Sequence, residues 1–345
     1  MNISRRKIIG LAGAALLLSG IIASCAKEGK TGKNDAYITY FQSWMKVHHP
    51  EAAPTGLGIY IMDDKPGTGA AISDKDKYIL VRYTTRDLDG KVNGTTEESI
   101  AKQTGSYSVA NYYGDDIIMN DPDQTSAGII EMLKGMKVGG TRKAIIPGWL
   151  NVAEKYDTAE DYLKKCTGTE MVCDLTVSGT YEDIYKWEID TLERFVARHM
   201  AGIDSTYFGY YYKQTKAPID TVSIPKDSTF CINYTGRLMN GKVFDTTIKD
   251  TAKVWGIYSS TKEYKPVYIK KNEDFTQISM ASSNGSDGST VVNGFSYCMS
   301  NLKKFEKGVV AFYSVHGYGA KGSGSAIPKY APISFEIEVV ADPDK

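Results

Sequence analysis

The sequence contains few of the residues that build metal centres and disulfide scaffolds. Its 345 residues include four histidines and five cysteines. No CxxC spacing occurs and the histidines are not clustered with the cysteines, so we expect neither a metal nor a cofactor. The cysteines beyond the N-terminal segment are even in number, which permits disulfides in an exported protein: Cys166, Cys173, Cys231 and Cys298. The last three lie in apolar periodic stretches typical of buried free thiols, and the sequence leaves their pairing open.

An excess of positive charge is also missing. Lys and Arg number 41, as do Asp and Glu, and without residues 1–24 the balance is 38 basic against 41 acidic residues. A chain with no basic excess is not expected to bind nucleic acid. Apolar residues make up 42% of the chain, which is ordinary for a globular protein. At about 150 residues per domain, the length suggests two domains.

The N-terminus has the arrangement of a secretory signal. Three positive residues at 5–7 precede an apolar run, and small residues then lead to Cys25. The tetrapeptide IASC that ends at Cys25 resembles the lipobox of bacterial lipoproteins, whose cysteine carries the lipid. The alternative is a membrane-spanning anchor, because the uncharged stretch 8–26 reaches the lower limit of about 18 residues, although three glycines interrupt it. We expect a signal peptide at 1–24, a lipid on Cys25, a tether at 25–34, and an exported bacterial lipoprotein that is membrane-anchored and faces the periplasm or the cell surface.

One stretch of the sequence occurs twice. Residues 83–96 read YTTRDLDGKVNGTT and residues 234–247 read YTGRLMNGKVFDTT, and they align without a gap at an offset of 151. Each copy follows an alternating apolar run that predicts a strand. Each copy is later followed by apolar residues at helical spacing and then by strict alternation, which predicts a half-buried strand. An internal duplication explains this pattern.

The predicted elements describe two α+β units with helices before them. The helix faces consist of Ile129, Met132, Leu133 and Met136 in the first unit and of Phe295, Cys298, Met299 and Leu302 in the second. The closing strands bury Met171, Cys173, Leu175 and Val177 in the first unit and Ile333, Phe335, Ile337 and Val339 in the second. A linker helix is predicted within 181–203, with Tyr185, Ile189, Leu192 and Val196 on one face. An N-terminal helix within 35–55, capped by Asp35 and ended by Pro50, is expected to pack on the first unit.

The second copy resembles a known family. Residues 233–247 (NYTGRLMNGKVFDTT) resemble the signature of FKBP-type peptidyl-prolyl cis-trans isomerases. Similar blocks follow in the family's order: VVNGF at 291–295, YGAKG at 318–322, Ile327-Pro328, and ISFEIEVV at 333–340. The resemblance implies two FKBP-like domains, a degenerate one at 56–180 and an isomerase domain at 204–342, each an antiparallel sheet half-wrapped around a short helix.

The resemblance also implies a site in the second domain. The reaction is rotation about an X-Pro bond in unfolded or exported polypeptides, which needs an apolar pocket that removes water from the amide. The implied catalytic residues are Tyr234, Phe244, Asp245 and Tyr318, and the implied substrate-binding residues are Val291, Val292, Phe295, Ile327 and Phe335. Tyr318 would donate its hydroxyl to a substrate carbonyl, and Asp245 would accept from Tyr234 or from the substrate backbone. Taken alone, the aromatic residues among them are equally consistent with ordinary core packing.

Some positions depart from the family pattern. Asp250 stands where the family often has an Arg that partners the motif Asp, and the approach to Tyr318 is short. The long loop after the motif ends in SMASSNGSDGS, which we expect to be mobile. In the first copy Asn93-Gly94 replaces Phe244-Asp245, while Ile129 and Cys173 replace two pocket aromatics. We therefore expect the first domain to keep the fold without the site.

Two other functions are compatible with the sequence. A non-catalytic FKBP-like lipoprotein could act as a protein-binding or assembly module, with its pocket or long loops holding a partner. A carbohydrate-binding lipoprotein is a third hypothesis, and it requires exposed aromatic residues in a groove.

Overall fold

A computed structural model describes residues 32–164, 168–203, 209–219, 222, 224–225, 228–271, 278–281 and 287–344. The expected signal peptide, Cys25, most of the tether and Cys166 lie outside these residues. Within them, no helix is long and apolar enough to cross a membrane. Cys173 and Cys298 are buried free thiols, as their apolar surroundings predicted, and Cys231 is also buried.

The first unit is a six-stranded antiparallel sheet with short helices. Its elements are α1 (Gly32–His48), β1 (Tyr60–Lys65), β2 (Tyr78–Arg86), β3 (Val92–Thr95), α2 (Glu98–Gln103), β4 (Asp116–Met119), α3 (Ala127–Leu133), β5 (Thr141–Ile146), α4 (Ala159–Lys164) and β6 (Met171–Tyr181). The strand order is β1-β5-β6-β2-β3, and β4 also pairs with β2. The helix α3 contributes Ile129, Met132 and Leu133 to the core. As expected, α1 packs on this unit, because Phe41 and Met45 join the same core.

The second unit repeats this architecture with additional strands. Its elements are α5 (Ile184–His199), β7 (Tyr210–Lys216), β8 (Thr229–Leu238), β9 (Val243–Thr246), α6 (Lys249–Val254), β10 (Val267–Lys271), β11 (Ile278–Ala281), β12 (Asp287–Thr290), α7 (Asn293–Asn301), β13 (Lys307–Phe312), two 3-10 turns (Ser314–His316 and Gly319–Lys321) and β14 (Ile333–Val340). The strand order is β12-β11-β10-β8-β14-β13-β7, and β9 pairs with β8. Two antiparallel sheets with a few helices confirm the predicted α+β fold class.

The duplication extends well beyond the sequence motif. Adding 151 to the bounds of β3 and α2 gives the bounds of β9 and α6 exactly. The loops after these helices also correspond: Tyr107 stacks on Tyr113 at 5.5 Å between ring centroids, and Tyr258 stacks on Tyr264 at 5.4 Å. The same offset places α1 on residues 183–199, which is α5 with its N-cap. The helix predicted as a linker is therefore the counterpart of α1 and holds the same place before its sheet.

The helices α1 and α5 each accept a hydrogen bond from a backbone amide that lies just after a strand. In the first unit the Gly148 amide donates to the Tyr37 hydroxyl at 3.0 Å. In the second unit the Ser314 amide donates to the Glu188 carboxylate at 2.7 Å. Because Tyr37 and Glu188 are 151 positions apart, the two units use the same helix position for the same contact.

Several predicted boundaries and faces were wrong. The helix α1 contains Asp35 and does not begin there. The helix α3 ends before Met136, because the chain turns at Gly135 with a φ of 72° that other residues rarely adopt. The buried face of α5 consists of Ile184, Glu188, Leu192 and Val196, and the predicted Tyr185 is 41% exposed. The two ends of the tail expected to be mobile lie in β11 and β12, which pair with each other, and residues 282–286 between them lie outside the described residues.

The burial of Glu188 predicts that the stability of the protein depends on pH. Burial outweighs the two hydrogen bonds from Ser314 and raises its pKa from 4.5 to about 7. The folded protein then binds more protons than the unfolded chain between about pH 4.5 and pH 7. The contribution of Glu188 to stability is therefore fully present below this range and falls by about 3 kcal/mol as the pH rises through it. Glu188→Gln cannot ionise and should lose this fall. Urea unfolding of both proteins across the range tests it, and parallel stability profiles would contradict it.

Candidate active site

The ring of Phe335 lies at the centre of an aromatic cluster in the second unit. Phe335 is on β14, only 5% exposed, and its ring centroid lies 4.9 Å from that of Phe295 at the start of α7. The rings of Phe244 on β9 and Tyr234 on β8 lie 5.6 Å and 6.0 Å from it, in edge-to-face geometry. Phe312 on β13 stacks on it at 6.1 Å. Rings from four separate elements thus contact one side chain. Each such aromatic pair adds about 0.5–1.5 kcal/mol of stability beyond the contribution of its buried area.

Gly236 makes this convergence possible. The register of β8 and β14 places Gly236 directly opposite Phe335. A Cβ atom at Gly236 would lie 2.6 Å from the Phe244 ring and 2.8 Å from the Phe335 ring, closer than carbon atoms approach. The glycine therefore leaves the space in which the two rings meet above the sheet.

The carboxylate of Asp245 lies at the edge of this cluster and has several donors. It accepts a hydrogen bond from the Tyr234 hydroxyl at 2.6 Å and one from the Thr246 amide at 2.9 Å. The ammonium group of Lys262 pairs with it from the loop after α6. Burial first, and then the charge of Asp245, raises the pKa of Tyr234, so its hydroxyl stays protonated and donates.

Lys262 takes the place of the missing arginine. Asp250 stands exposed on α6 where the family often has an Arg, yet Asp245 is paired with a cation. Sequence reasoning missed Lys262 because it lies 17 positions after Asp245 in a loop without periodicity. Its counterpart in the first unit, Asn111, carries no charge.

The structure brings all nine implied site residues together. Ile327 is buried in the same core cluster as Phe295 and Phe335, and five others pack against that cluster: Tyr234, Phe244, Val291, Val292 and Tyr318. The short approach to Tyr318 does not remove it from this cluster. Burial and the charge of Asp245 raise the pKa of Tyr318, so its phenol stays protonated. The result is an apolar, aromatic cluster with the Asp245–Lys262 ion pair at its edge.

No set of ligands for a metal accompanies the pocket. Among the residues that the structure describes, no group of three His, Cys, Asp or Glu side chains is placed to hold an ion. The chemistry that the arrangement supports is removal of water from a bound group, with hydrogen-bond donors at the rim.

The equivalent place in the first unit has no such pocket. Cys173 lies opposite Thr85 in β6 and β2, in the same register as Phe335 and Gly236. Asn93 on β3 is exposed, where the second unit has the half-buried Phe244. Tyr83, the counterpart of Tyr234, is 2% exposed and belongs to the core. The sheet is kept while the aromatic cluster over it is absent.

A loop of the first unit contacts the rim of the pocket in the second. The Tyr112 amide donates to the Ser325 carbonyl at 2.7 Å, two residues before Ile327. The Ser325 hydroxyl donates to the Asn111 side-chain oxygen at 2.7 Å. Lys242, two residues before Phe244, donates to the Asn111 carbonyl. Tyr112 also packs against the core cluster of the second unit. The first unit therefore contacts the segments that carry Ile327 and Phe244 of the aromatic cluster.

Comparisons with known proteins agree with this geometry. The sequence profile of the family described as FKBP-type peptidyl-prolyl cis-trans isomerase matches residues 221–340. The chain is 28% identical over 130 residues to FK506-binding protein 1A of Aspergillus fumigatus, covering 37% of this chain and 90% of that protein. It is 26% identical over 162 residues to a probable FKBP-type peptidyl-prolyl cis-trans isomerase of Haemophilus influenzae, covering 46% of this chain and about half, 54%, of that protein.

Two solved structures were also matched. The three FKBP domains of wheat FKBP73 give a TM-score of 0.30 at 15% identity, covering 82% of this chain and 94% of that one. FkpA from Escherichia coli gives a TM-score of 0.31 at 22% identity, covering 46% of this chain and 58% of that one. These two structures are similar to the chain, and no conclusion about its function is drawn from them. The profile match spans every residue of the aromatic cluster, so residues 221–340 form an FKBP-type peptidyl-prolyl cis-trans isomerase domain.

Proposed function

We propose that the second domain assists the folding of exported proteins by isomerising their X-Pro bonds in the pocket around Phe335. The supporting observation is the junction of an aromatic cluster with the oriented Asp245–Tyr234 pair. Rotation about an X-Pro bond has a barrier near 20 kcal/mol, partly because water favours the planar, charge-separated amide. A pocket that replaces water with ring surfaces lowers the cost of the twisted amide.

Each rim residue then has a role in holding the twisted peptide. The phenol of Tyr318 donates to a substrate carbonyl next to the proline. Asp245 is held by Tyr234 and Lys262, so that its carboxylate faces the substrate backbone without transferring a proton. The walls formed by Phe244, Phe295 and Ile327 surround the proline ring.

Removing the Phe244 ring should abolish most of this activity. Phe244→Ala deletes a half-buried pocket wall and reopens the site to water, so we expect kcat/KM to fall by about tenfold or more, which corresponds to at least about 1.4 kcal/mol. The assay is proline-limited refolding of a model protein. Asn93→Ala, the same position in the first unit, is the matched control and should leave the rate unchanged.

The alternative function predicts a different result. A non-catalytic binding module would show no acceleration of refolding in the wild-type protein, with Phe244→Ala changing only the capture of partners. A folded wild-type protein without any acceleration would therefore reject the catalytic proposal and favour the binding module.

We further propose that the first domain extends the substrate surface. Its loop at 109–113 borders the pocket beside Ser325 and Lys242, so a polypeptide longer than the pocket leaves it past Asn111 and Tyr112. Because its own aromatic cluster is absent, the first domain would contribute contacts rather than catalysis.

Replacement of the loop contacts should separate long substrates from short ones. Asn111→Ala removes an interdomain hydrogen bond worth about 1 kcal/mol. We expect kcat/KM for a protein substrate to fall about fivefold, while the value for a proline tetrapeptide stays within about twofold. Ser106→Ala, an exposed residue whose bonds stay within the first domain, is the control. Equal losses for both substrates would show that the loop supports the pocket and not the substrate.

We also propose that the protein is an exported lipoprotein tethered through Cys25. The support is the sequence alone: positive residues, an apolar run, and the tetrapeptide IASC that ends at this cysteine. The tether would place both domains beyond the cytoplasm, where newly exported chains fold.

Lipid attachment can be tested directly. Growth with a radiolabelled fatty acid should label the wild-type protein, and Cys25→Ser should abolish the label because the acceptor thiol is gone. Cys231→Ser, which changes a buried thiol, is the control and should keep the label. Labelling that survives Cys25→Ser would contradict the proposal.

A further inference from the structure

The helix α5 packs on the second domain through Leu192 and Val196, and it also places one buried carboxylate there. The Glu188 side chain is 0% exposed, and its two oxygens accept from both hydrogen-bond donors of Ser314. The Ser314 amide donates at 2.7 Å and its hydroxyl donates at 2.8 Å. Ser314 is itself 1% exposed, so water does not compete for these bonds. Charge-assisted bonds in such surroundings are among the stronger hydrogen bonds in proteins.

The segment that starts at Ser314 leads directly to the pocket. It forms a 3-10 turn over Ser314–His316, closed by the Gly317 amide donating to the Ser314 carbonyl at 2.8 Å. A Cβ at Gly317 would lie 3.3 Å from both Phe312 and Ile333, so the backbone passes close to the core. The next residue is Tyr318. The four residues from Ser314 to Gly317 therefore connect the Glu188 contact directly to Tyr318.

The segment is also packed along its length. The ring of His316 lies edge-on to two tyrosine rings, at 5.0 Å from Tyr313 and 5.8 Å from Tyr297. The Tyr330 amide donates to the Gly319 carbonyl at 3.0 Å. A displacement of Ser314 would consequently move the whole turn and not be absorbed locally.

Comparison of Glu188 with Tyr37, its counterpart in the first unit, shows whether the fold requires an acid at this helix position. The first unit makes the same fastening with an uncharged group, since Tyr37 accepts the Gly148 amide and donates to Glu170 at 2.6 Å. That unit has no pocket. Burying a carboxylate costs free energy that a phenol avoids, so the fold alone does not require an acid at this position. Burial raises the pKa of Glu188 to about 7, which shows the size of that cost.

The surroundings of Glu188 include few groups that could offset it. The titratable groups that interact electrostatically with Glu188 are Asp183, Tyr185 and Tyr330. Asp183 is negative and opposes the charge. Ser314 supplies both hydrogen bonds described above.

We propose that Glu188 is a positioning residue for catalysis. By accepting hydrogen bonds from the amide and the hydroxyl of Ser314, it fixes the position of the turn before Tyr318 and so orients the Tyr318 phenol towards the substrate. The inference rests on the proposed function, because it concerns the same site. It assigns to α5, which precedes the family domain at 221–340, a part in that site.

A double-mutant cycle tests the coupling. Glu188→Ala should lower kcat/KM about fivefold, mostly through kcat, and Tyr318→Phe should lower it to a similar extent. If Glu188 acts through Tyr318, adding Glu188→Ala to Tyr318→Phe should cost less than about twofold more. Ser314→Ala, a milder change that removes one of the two bonds, should show a smaller loss with the same coupling. Losses that multiply independently would overturn the proposal.

Two variants distinguish positioning from general support. Glu188→Gln can accept from the amide and donate to the hydroxyl of Ser314, so it should retain at least half of the activity. Tyr37→Phe loses the equivalent fastening in the first unit and should leave activity unchanged. A Gln variant as impaired as the Ala variant, or a Tyr37→Phe variant impaired to the same degree, would contradict the assignment.

A readout without catalysis keeps this inference distinct from the proposed function. Fluorotyrosine placed at position 318 reports its surroundings by 19F NMR. Glu188→Ala should shift or broaden this resonance, whereas Glu188→Gln and Tyr37→Phe should not. A wild-type protein that is inactive but shows this pattern would reject the isomerase proposal alone. An unchanged resonance in Glu188→Ala would reject the positioning role alone.

Discussion

The packing of aromatic rings on Phe335 is the interaction on which the second domain's site depends. Rings from β8, β9, α7 and β13 all contact this one side chain, so it joins the pocket walls to the sheet. The contact requires Gly236 opposite, since any side chain there would occupy the space of two rings. A pocket that works by excluding water needs walls that do not yield, and edge-to-face packing on a buried hub provides them.

The first unit shows what the same frame becomes without that hub. With Cys173 opposite Thr85, the sheet register is unchanged, yet no ring lies over it for others to pack against. The fold survives because other buried side chains, among them Ile129, Met132 and Tyr83, fill the core around Cys173. Site and fold are thus separable in this chain, and only a few positions decide which unit keeps the site.

Sequence reasoning predicted the closing strands and the duplication, and it named residues that the structure brings together around Phe335, because each has a local signal. Alternation marks β14, a glycine turn marks the motif, and the order of the family blocks places Tyr318. Lys262 and Glu188 gave no such signal. Lys262 reaches Asp245 across a loop, and Glu188 occupies a face of α5 that hydrophobic periodicity shifted by one residue towards Tyr185. A buried acid breaks the apolar pattern that locates helix faces, so functional polar residues in a core are the ones such patterns miss.

The missed contacts share a physical purpose. Tyr318 and Ile327 lie on loops, which are intrinsically more mobile than strands, and Asp245 lies on the short strand β9. Each is held from outside its own segment: Asp245 by Lys262, the turn before Tyr318 by Glu188, and the segment before Ile327 by the first-domain loop at Ser325. Twisting an amide gives the enzyme no covalent bond with which to orient its substrate, so orientation depends on where these rim groups stand. Helix α5 and the first unit therefore hold the residues at the edge of the site in place, as Phe335 holds the aromatic rings around it.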